Sequence, residues 1–125
     1  MRIHHVALIV SDYEQSKRFY TEVLGLCILA EHYRAERNSW KLDLGIGGEY
    51  VLELFSFPNP PPRPTRPEAC GLRHLAFAVD DVEAERRRLL QRGVACEAVR
   101  IDEYTDKPFF FIADLDGLPI EFYQE

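Results

Sequence analysis

The stretch IHHVALIVSDYEQSKRF at residues 3–19 recurs in altered form as LRHLAFAVDDVEAERRR at residues 72–88. Aligned 69 residues apart, the two stretches share six identities. These are His5 with His74, Ala7 with Ala76, Val10 with Val79, Asp12 with Asp81, Glu14 with Glu83 and Arg18 with Arg87. A one-residue gap then aligns Gly25 with Gly93 and YVLELF (50–55) with LPIEFY (118–123). The chain therefore contains two copies of one unit, and this repetition decides the fold.

Each copy predicts the same order of secondary structure. An apolar run over residues 3–10 predicts a buried strand, and Asp12 stands where a helix N-cap belongs. Apolar residues at helical spacing predict a helix over 13–24, which Gly25 ends. Three more strands are predicted per copy, near 26–34, 39–46 and 49–57 and near 95–101, 107–114 and 117–124, with Asp116-Gly117 as a hairpin turn. The predicted fold class is α+β, with two βαβββ modules in tandem.

The chain length of 125 residues fits a single domain over 1–125. We place module one at 3–57 and module two at 71–124, joined by a proline-rich linker over 58–70. Two interpretations of the linker remain open. It is either a stiff spacer or a lid over a pocket, with Arg63 or Arg66 facing an anionic substrate.

Composition limits the kinds of binding partner and indicates the cellular compartment of the protein. The net charge of −6 disfavours nucleic acid and anionic membranes as partners, because both attract basic surfaces. The chain has no long apolar stretch and no secretory leader, and its three cysteines are an odd number. We therefore expect reduced thiols and a cytoplasmic protein that acts on a small molecule.

Each copy places a histidine on its first strand and a glutamate on its last, His5 with Glu53 and His74 with Glu121. Imidazole and carboxylate together suit one divalent ion such as Zn²⁺, Ni²⁺, Co²⁺, Mn²⁺ or Fe²⁺. A single histidine in an apolar strand is usually structural, but here the pair recurs at matching positions. Strand alternation predicts that His4 lies on the opposite face from His5.

The quoted motifs also carry a family resemblance. HHVALIVSDYEQSKRFYTEVLGL (4–26) resembles the opening of the vicinal oxygen chelate superfamily. GLRHLAFAVDDVEA (71–84) and DLDGLPIEFYQ (114–124) resemble its second half. The chain looks most like a short glyoxalase I-like bacterial branch, related to lactoylglutathione lyase. The resemblance implies a curved, cup-like mixed β-sheet with helices on the outside, the glyoxalase/bleomycin resistance/dioxygenase fold, in a protein that is commonly a homodimer.

The family's ligand positions fall on His5, Glu53, His74 and Glu121. A His-Glu-His-Glu set resembles glyoxalase I. Related epimerases usually have Gln at the position of Glu53, extradiol dioxygenases lack this extra carboxylate, and bleomycin-binding members have lost the ligands.

The resemblance implies a metal-dependent lyase or isomerase acting on a hemithioacetal or α-hydroxycarbonyl compound through a metal-bound enediolate, with Glu121 or Glu53 as the catalytic base. The alternatives are a non-catalytic small-molecule binding or resistance protein, and an epimerase or dioxygenase of the same superfamily.

Substrate-binding residues follow partly from a departure from the family pattern. Bacterial glyoxalase I commonly has Arg four residues after the first histidine, where it serves the glutathione carboxylate, and this chain has Ile9. Arg34, Arg37 and Lys41 are the cations that could supply charge instead. We expect Lys41, Arg37, Phe55 and Tyr123 to bind substrate, while Ala7, Ala76 and Ala78 leave space beside the metal.

Overall fold

The computed structural model describes all residues from 1 to 125, in two compact units, Met1–Pro62 and Arg63–Glu125. The first unit contains β1 (Val6–Val10), α1 (Tyr13–Arg18), a π-helical turn (Phe19–Val23), β2 (Cys27–Arg34), a 3₁₀ turn (Ala35–Arg37), β3 (Ser39–Ile46) and β4 (Glu49–Ser56). The second contains β5 (Leu75–Val79), α2 (Val82–Gln91), β6 (Arg100–Ile101), β7 (Pro108–Ala113) and β8 (Pro119–Gln124). None of the helices is long and apolar enough to cross a membrane.

The first unit is a mixed sheet in the order β1-β4-β3-β2, with β1 parallel to β4 and the other pairs antiparallel. Alternating apolar side chains point to the face that α1 covers. The buried residues of this face are Leu8, Val10, Leu42, Leu44, Leu52 and Leu54. Ala7 and Ile9 of β1 are exposed on the other face, so that face is accessible to a ligand.

The second unit repeats this arrangement in the order β5-β8-β7-β6, with β5 parallel to β8. Helix α2 packs against β7 and β8 over a core that includes Phe110, Ile112, Ile120 and Phe122. Both helices begin as predicted, because the Asp12 and Asp81 carboxylates accept the backbone N–H groups of Gln15 and Ala84. The predicted α+β fold of two βαβββ modules is therefore confirmed.

Two predicted elements differ in detail. The helix expected over residues 13–24 is α-helical only to Arg18 and then widens into the π turn, where the Leu24 N–H donates to the Phe19 carbonyl. The strand expected over 95–101 is regular only at β6, and before it one backbone bond, from Glu97 N–H to Phe111 carbonyl, reaches β7.

The predicted Asp116-Gly117 hairpin is a wider turn than two residues. Ala113 still pairs with Pro119, so five residues connect the two strands. The Asp114 N–H donates to the Leu118 carbonyl and the Gly117 N–H to the Asp114 carbonyl, and the Asp114 carboxylate accepts the N–H groups of Asp116 and Leu118.

Candidate metal centre

The first histidine–glutamate pair lies at the open face of the first unit. His5 directly precedes β1, and the register of the parallel ladder places Ala7 beside Glu53 on β4. The two ligands therefore come from adjacent strands, and His5 Nε2 is 3.9 Å from Glu53 Oε1. The Glu53 side chain is 10% exposed, so its charge lies largely out of water.

The second pair repeats this placement in the second unit. Ala76 pairs with Glu121 in the β5–β8 ladder, and His74 Nε2 is 3.1 Å from Glu121 Oε2. Two ligands at right angles on an ion, each about 2.1 Å from it, are about 3 Å apart. The second pair has this separation, and the first, at 3.9 Å, lies between it and the roughly 4.2 Å of two ligands on opposite sides of an ion. The side chains present therefore fit a divalent cation. The structure brings the candidate ligands together as two pairs, and no group of three or more His, Cys, Asp or Glu side chains that could hold a metal ion is formed.

A polar cluster holds Glu53 in place. The Tyr50 hydroxyl lies 2.7 Å from Glu53 Oε2 and 2.7 Å from Asp43 Oδ1. The Lys41 ammonium lies 3.0 Å and 2.6 Å from the same two oxygens. Burial alone would raise the pKa of Glu53, but hydrogen bonds from Tyr50 and Lys41 outweigh burial and hold the pKa of this carboxyl below its ordinary value.

Glu121 has no comparable support. Its one ion-pair partner is His74, and its neighbours across β7 are aromatic. Phe111 pairs with Glu121 in the ladder and meets the His74 ring edge-on, with centroids 5.2 Å apart. The two carboxylates are therefore unequal, because Tyr50 and Lys41 anchor one and the other has His74 as its ion-pair partner and Phe111 as its ladder neighbour.

The structure corrects the expectation for His4. The strand begins only at Val6, so residues before it do not follow strand alternation. His4 Nδ1 lies 2.8 Å from His5 Nδ1, and both rings contact Tyr50. A hydrogen bond through Nδ1 leaves His5 Nε2 as the atom facing Glu53, which is how a neighbouring group orients a ligand histidine.

The four residues expected to bind substrate lie in different settings. Lys41 is engaged by Asp43 and Glu53, and Arg37 lies in the exposed 3₁₀ turn. Phe55 lies two residues beyond Glu53 on β4, under the Arg34 guanidinium. The Tyr123 hydroxyl contacts Thr105 and lies 3.2 Å from Asp102 Oδ2, so this ring is fixed to the loop before β7.

A cavity of about 670 Å³ lies within the second unit, with His74 and Phe111 in its wall. The chain from Arg63 to His74 contributes much of the lining. Arg63 itself is held by the carbonyls of Leu72 and Arg73, and Arg66 faces Glu68. The volume is that of a small-molecule site.

The chain matches a known protein family over nearly its whole length. The model of the Glyoxalase/Bleomycin resistance protein/Dioxygenase superfamily matches residues 2–122. The chain is 55% identical over 124 residues to the uncharacterized protein YaeR of Escherichia coli (strain K12), covering 99% of this chain and 96% of YaeR.

Solved structures give the same result. A glyoxalase family protein from Enterococcus faecalis is 45% identical, with a TM-score of 0.91 over 98% of this chain and 96% of that one. The trypanothione-dependent glyoxalase I of Leishmania major is 30% identical, with a TM-score of 0.78 over 100% of this chain and 87% of that one. These matches confirm the resemblance drawn from the quoted motifs. The chain belongs to the glyoxalase/bleomycin resistance protein/dioxygenase superfamily.

Proposed function

We propose that the protein is a metal-dependent lyase or isomerase of the glyoxalase I kind, moving a proton beside a carbonyl in a small substrate with vicinal oxygens. The observation that carries the proposal is the pair of His–Glu sites with unequal support. His5, Glu53, His74 and Glu121 together would hold one divalent ion, within one chain or across a homodimer. Such an ion supplies Lewis-acid polarisation of the two substrate oxygens.

Glu121 is the residue we assign as the base. Its carboxylate has no tyrosine or lysine donor of the kind that holds Glu53, so an oxygen of Glu121 is available to take a proton from substrate carbon. The same oxygen would return the proton to the neighbouring carbon, and the substrate hydroxyl proton would pass to the former carbonyl oxygen, so the isomerisation balances without an outside acid or oxidant. The phenyl ring of Phe111 gives this proton transfer an apolar setting.

Glu53 has the complementary role of a fixed carboxylate. Tyr50 and Lys41 hold its Oε2, and this leaves Oε1 toward His5. A carboxylate held in this way keeps its position and its charge through the cycle. We therefore expect Glu53 to serve as a static ligand and Glu121 as the mobile one.

The test is turnover of hemithioacetals formed from methylglyoxal and several thiols, glutathione included, with Ni²⁺, Zn²⁺, Co²⁺ and Mn²⁺ in turn. Thioester formation is followed by ultraviolet absorbance. Losing a catalytic base typically costs about 10²- to 10⁴-fold in rate. Glu121→Gln should show a loss of this size while retaining much of its metal, and Glu53→Gln should lose less.

Glu49→Gln is the matched control, because Glu49 is an exposed carboxylate at the start of the same strand as Glu53. It should turn over like the unmodified protein. Absence of turnover with every metal and thiol, together with tight binding of an unreacted ligand, would instead identify a protein that sequesters a small molecule.

A further inference from the structure

Arg34, at the end of β2, is a cation that the fold leaves without a counter-ion. Its guanidinium lies 4.7 Å from the ring centroid of Phe55 and 5.6 Å from that of Phe57. Its only hydrogen-bond acceptor is the Ser39 hydroxyl, at 2.9 Å from Nη2. The Nε atom is buried and has no partner. Burying a charged donor without an acceptor is unfavourable, so an unpartnered group of this kind indicates a functional role such as ligand binding.

Two other arginines that lie over rings or are part-buried are neutralised by carboxylates. Arg100 also lies over two phenylalanine rings, yet Glu97 Oε2 is 3.3 Å from its Nη2. Arg88 meets Glu85 at 2.6 Å. Arg34 has the same aromatic support as Arg100 but no carboxylate within ion-pair distance. Arg63 and Arg86 also lack a carboxylate, but backbone carbonyls accept their N–H groups, whereas Nε of Arg34 is buried without an acceptor.

Arg34 also lies on the same face of the sheet as Glu53. It pairs with Ser39 in the β2–β3 ladder. Of the alternating residues of β3 that follow, Lys41 contacts Glu53, and Asp43 pairs with Glu53 in the β3–β4 ladder. The guanidinium reaches across to Phe55, two residues beyond Glu53 on β4. Two residues along a strand span about 7 Å. Because Arg34 lies over Phe55, its guanidinium is separated from the His5–Glu53 pair by a distance of about this size.

We propose that Arg34 binds an oxyanion of the substrate, a carboxylate or a phosphate, about 7 Å from the vicinal oxygens at the candidate metal centre. This inference rests on the proposed function. The two phenyl rings support the guanidinium, Nε is buried and Ser39 accepts from Nη2, so the remaining N–H groups of Nη1 and Nη2 are the ones available to an anion. In this arrangement Arg34 provides the charge that a substrate acid group needs where the first strand carries Ile9.

The test measures binding to the zinc-loaded protein by calorimetry, with hydroxamates as vicinal-oxygen probes. Hexanohydroxamic acid is neutral beyond its chelating end, adipic monohydroxamic acid ends in a carboxylate, and the matching phosphonate replaces that carboxylate. We expect at least one anionic probe to bind roughly 10- to 100-fold more tightly than the neutral one, the range that charged hydrogen bonds supply.

Arg34→Gln should remove this preference and leave the affinity of the neutral probe unchanged, which also shows that the variant is folded. Arg34→Lys should keep part of the preference, because it retains charge but not the planar fork. Arg18→Gln, at the exposed end of α1, should keep all of it.

If the neutral probe binds but neither anionic probe binds better, or if Arg34→Gln keeps the preference, the role of Arg34 is wrong and the proposed function stands. If no hydroxamate binds, the proposed function fails, and the role of Arg34 fails with it.

Discussion

At the scale of single residues, His5 and His74 occupy matching positions, and each presents Nε2 to a glutamate. We expect one divalent ion per chain, and His5→Ala or His74→Ala should abolish stoichiometric binding, because each removes one of two ligands in its unit. Metal content after dialysis, measured by plasma emission spectroscopy, checks this. His32→Ala is the control, since His32 is an exposed residue of β2. Full occupancy in either ligand variant would contradict the assignment.

The sequence was enough to find the four candidate ligands because each pair recurs in a diverged repeat. The residues around these ligands do not recur in the other copy of the repeat. The repeat partners of Asp43, Tyr50 and His4 are Phe111, Leu118 and Arg73, so comparing the two halves does not single them out. Their roles depend on side chains from different strands meeting at one carboxylate, which becomes visible only when the strand register is known.

At the scale of elements, one carboxylate ties α1 to the edge strand β2. Glu31 Oε2 lies 2.5 Å from the Tyr13 hydroxyl and 2.7 Å from Lys17 Nζ. The Lys17 ammonium, and next the Tyr13 hydroxyl, hold the pKa of Glu31 below its ordinary value. A lowered folded-state pKa means that the contact stabilises above the unfolded pKa of about 4.3 and is lost as the pH falls through the folded value.

Glu31→Gln should therefore lower the free energy of unfolding at pH 7 by about 0.5–1 kcal/mol, a modest effect because both partners are partly exposed. Urea denaturation at pH 7 and near pH 3 measures it, and the difference from the unmodified protein should vanish at the lower pH. Glu36→Gln, in the exposed 3₁₀ turn, should change neither value. An undiminished difference near pH 3 would mean that the charge of Glu31 is not the cause.

The elements themselves were largely predictable, because strand alternation and helix caps are local signals. Strands β3 and β4 begin and end within a residue of their predicted limits. The short β6 was not predictable, since the apolar and β-branched residues before Arg100 resemble a strand but pair with β7 only at Glu97. Pairing is a property of two segments, and a pattern in one segment does not contain it.

At the scale of the whole molecule, an ion held by ligands from both units should stabilise the fold, because the ion binds the folded chain and does not bind the unfolded chain. At a free metal concentration of 100 times Kd the gain is about 2.7 kcal/mol. For a chain of this length we expect Tm to rise by roughly 10 °C when Zn²⁺ or Ni²⁺ is added to the metal-free protein. Differential scanning calorimetry measures the shift. His5→Ala combined with His74→Ala should show none, and an equal rise in that double variant would place the metal elsewhere.

The π-helical turn at Phe19–Val23 indicates how the two copies of the repeat came to differ in length. From the N-cap Asp12 to Gly25 the first half has one residue more than the second has from Asp81 to Gly93. A π turn closes its hydrogen bond over five residues where an α turn closes over four, so it absorbs one surplus residue. The turn therefore marks an insertion in the first half or a deletion in the second, accommodated inside a helix so that the following strands kept their alignment.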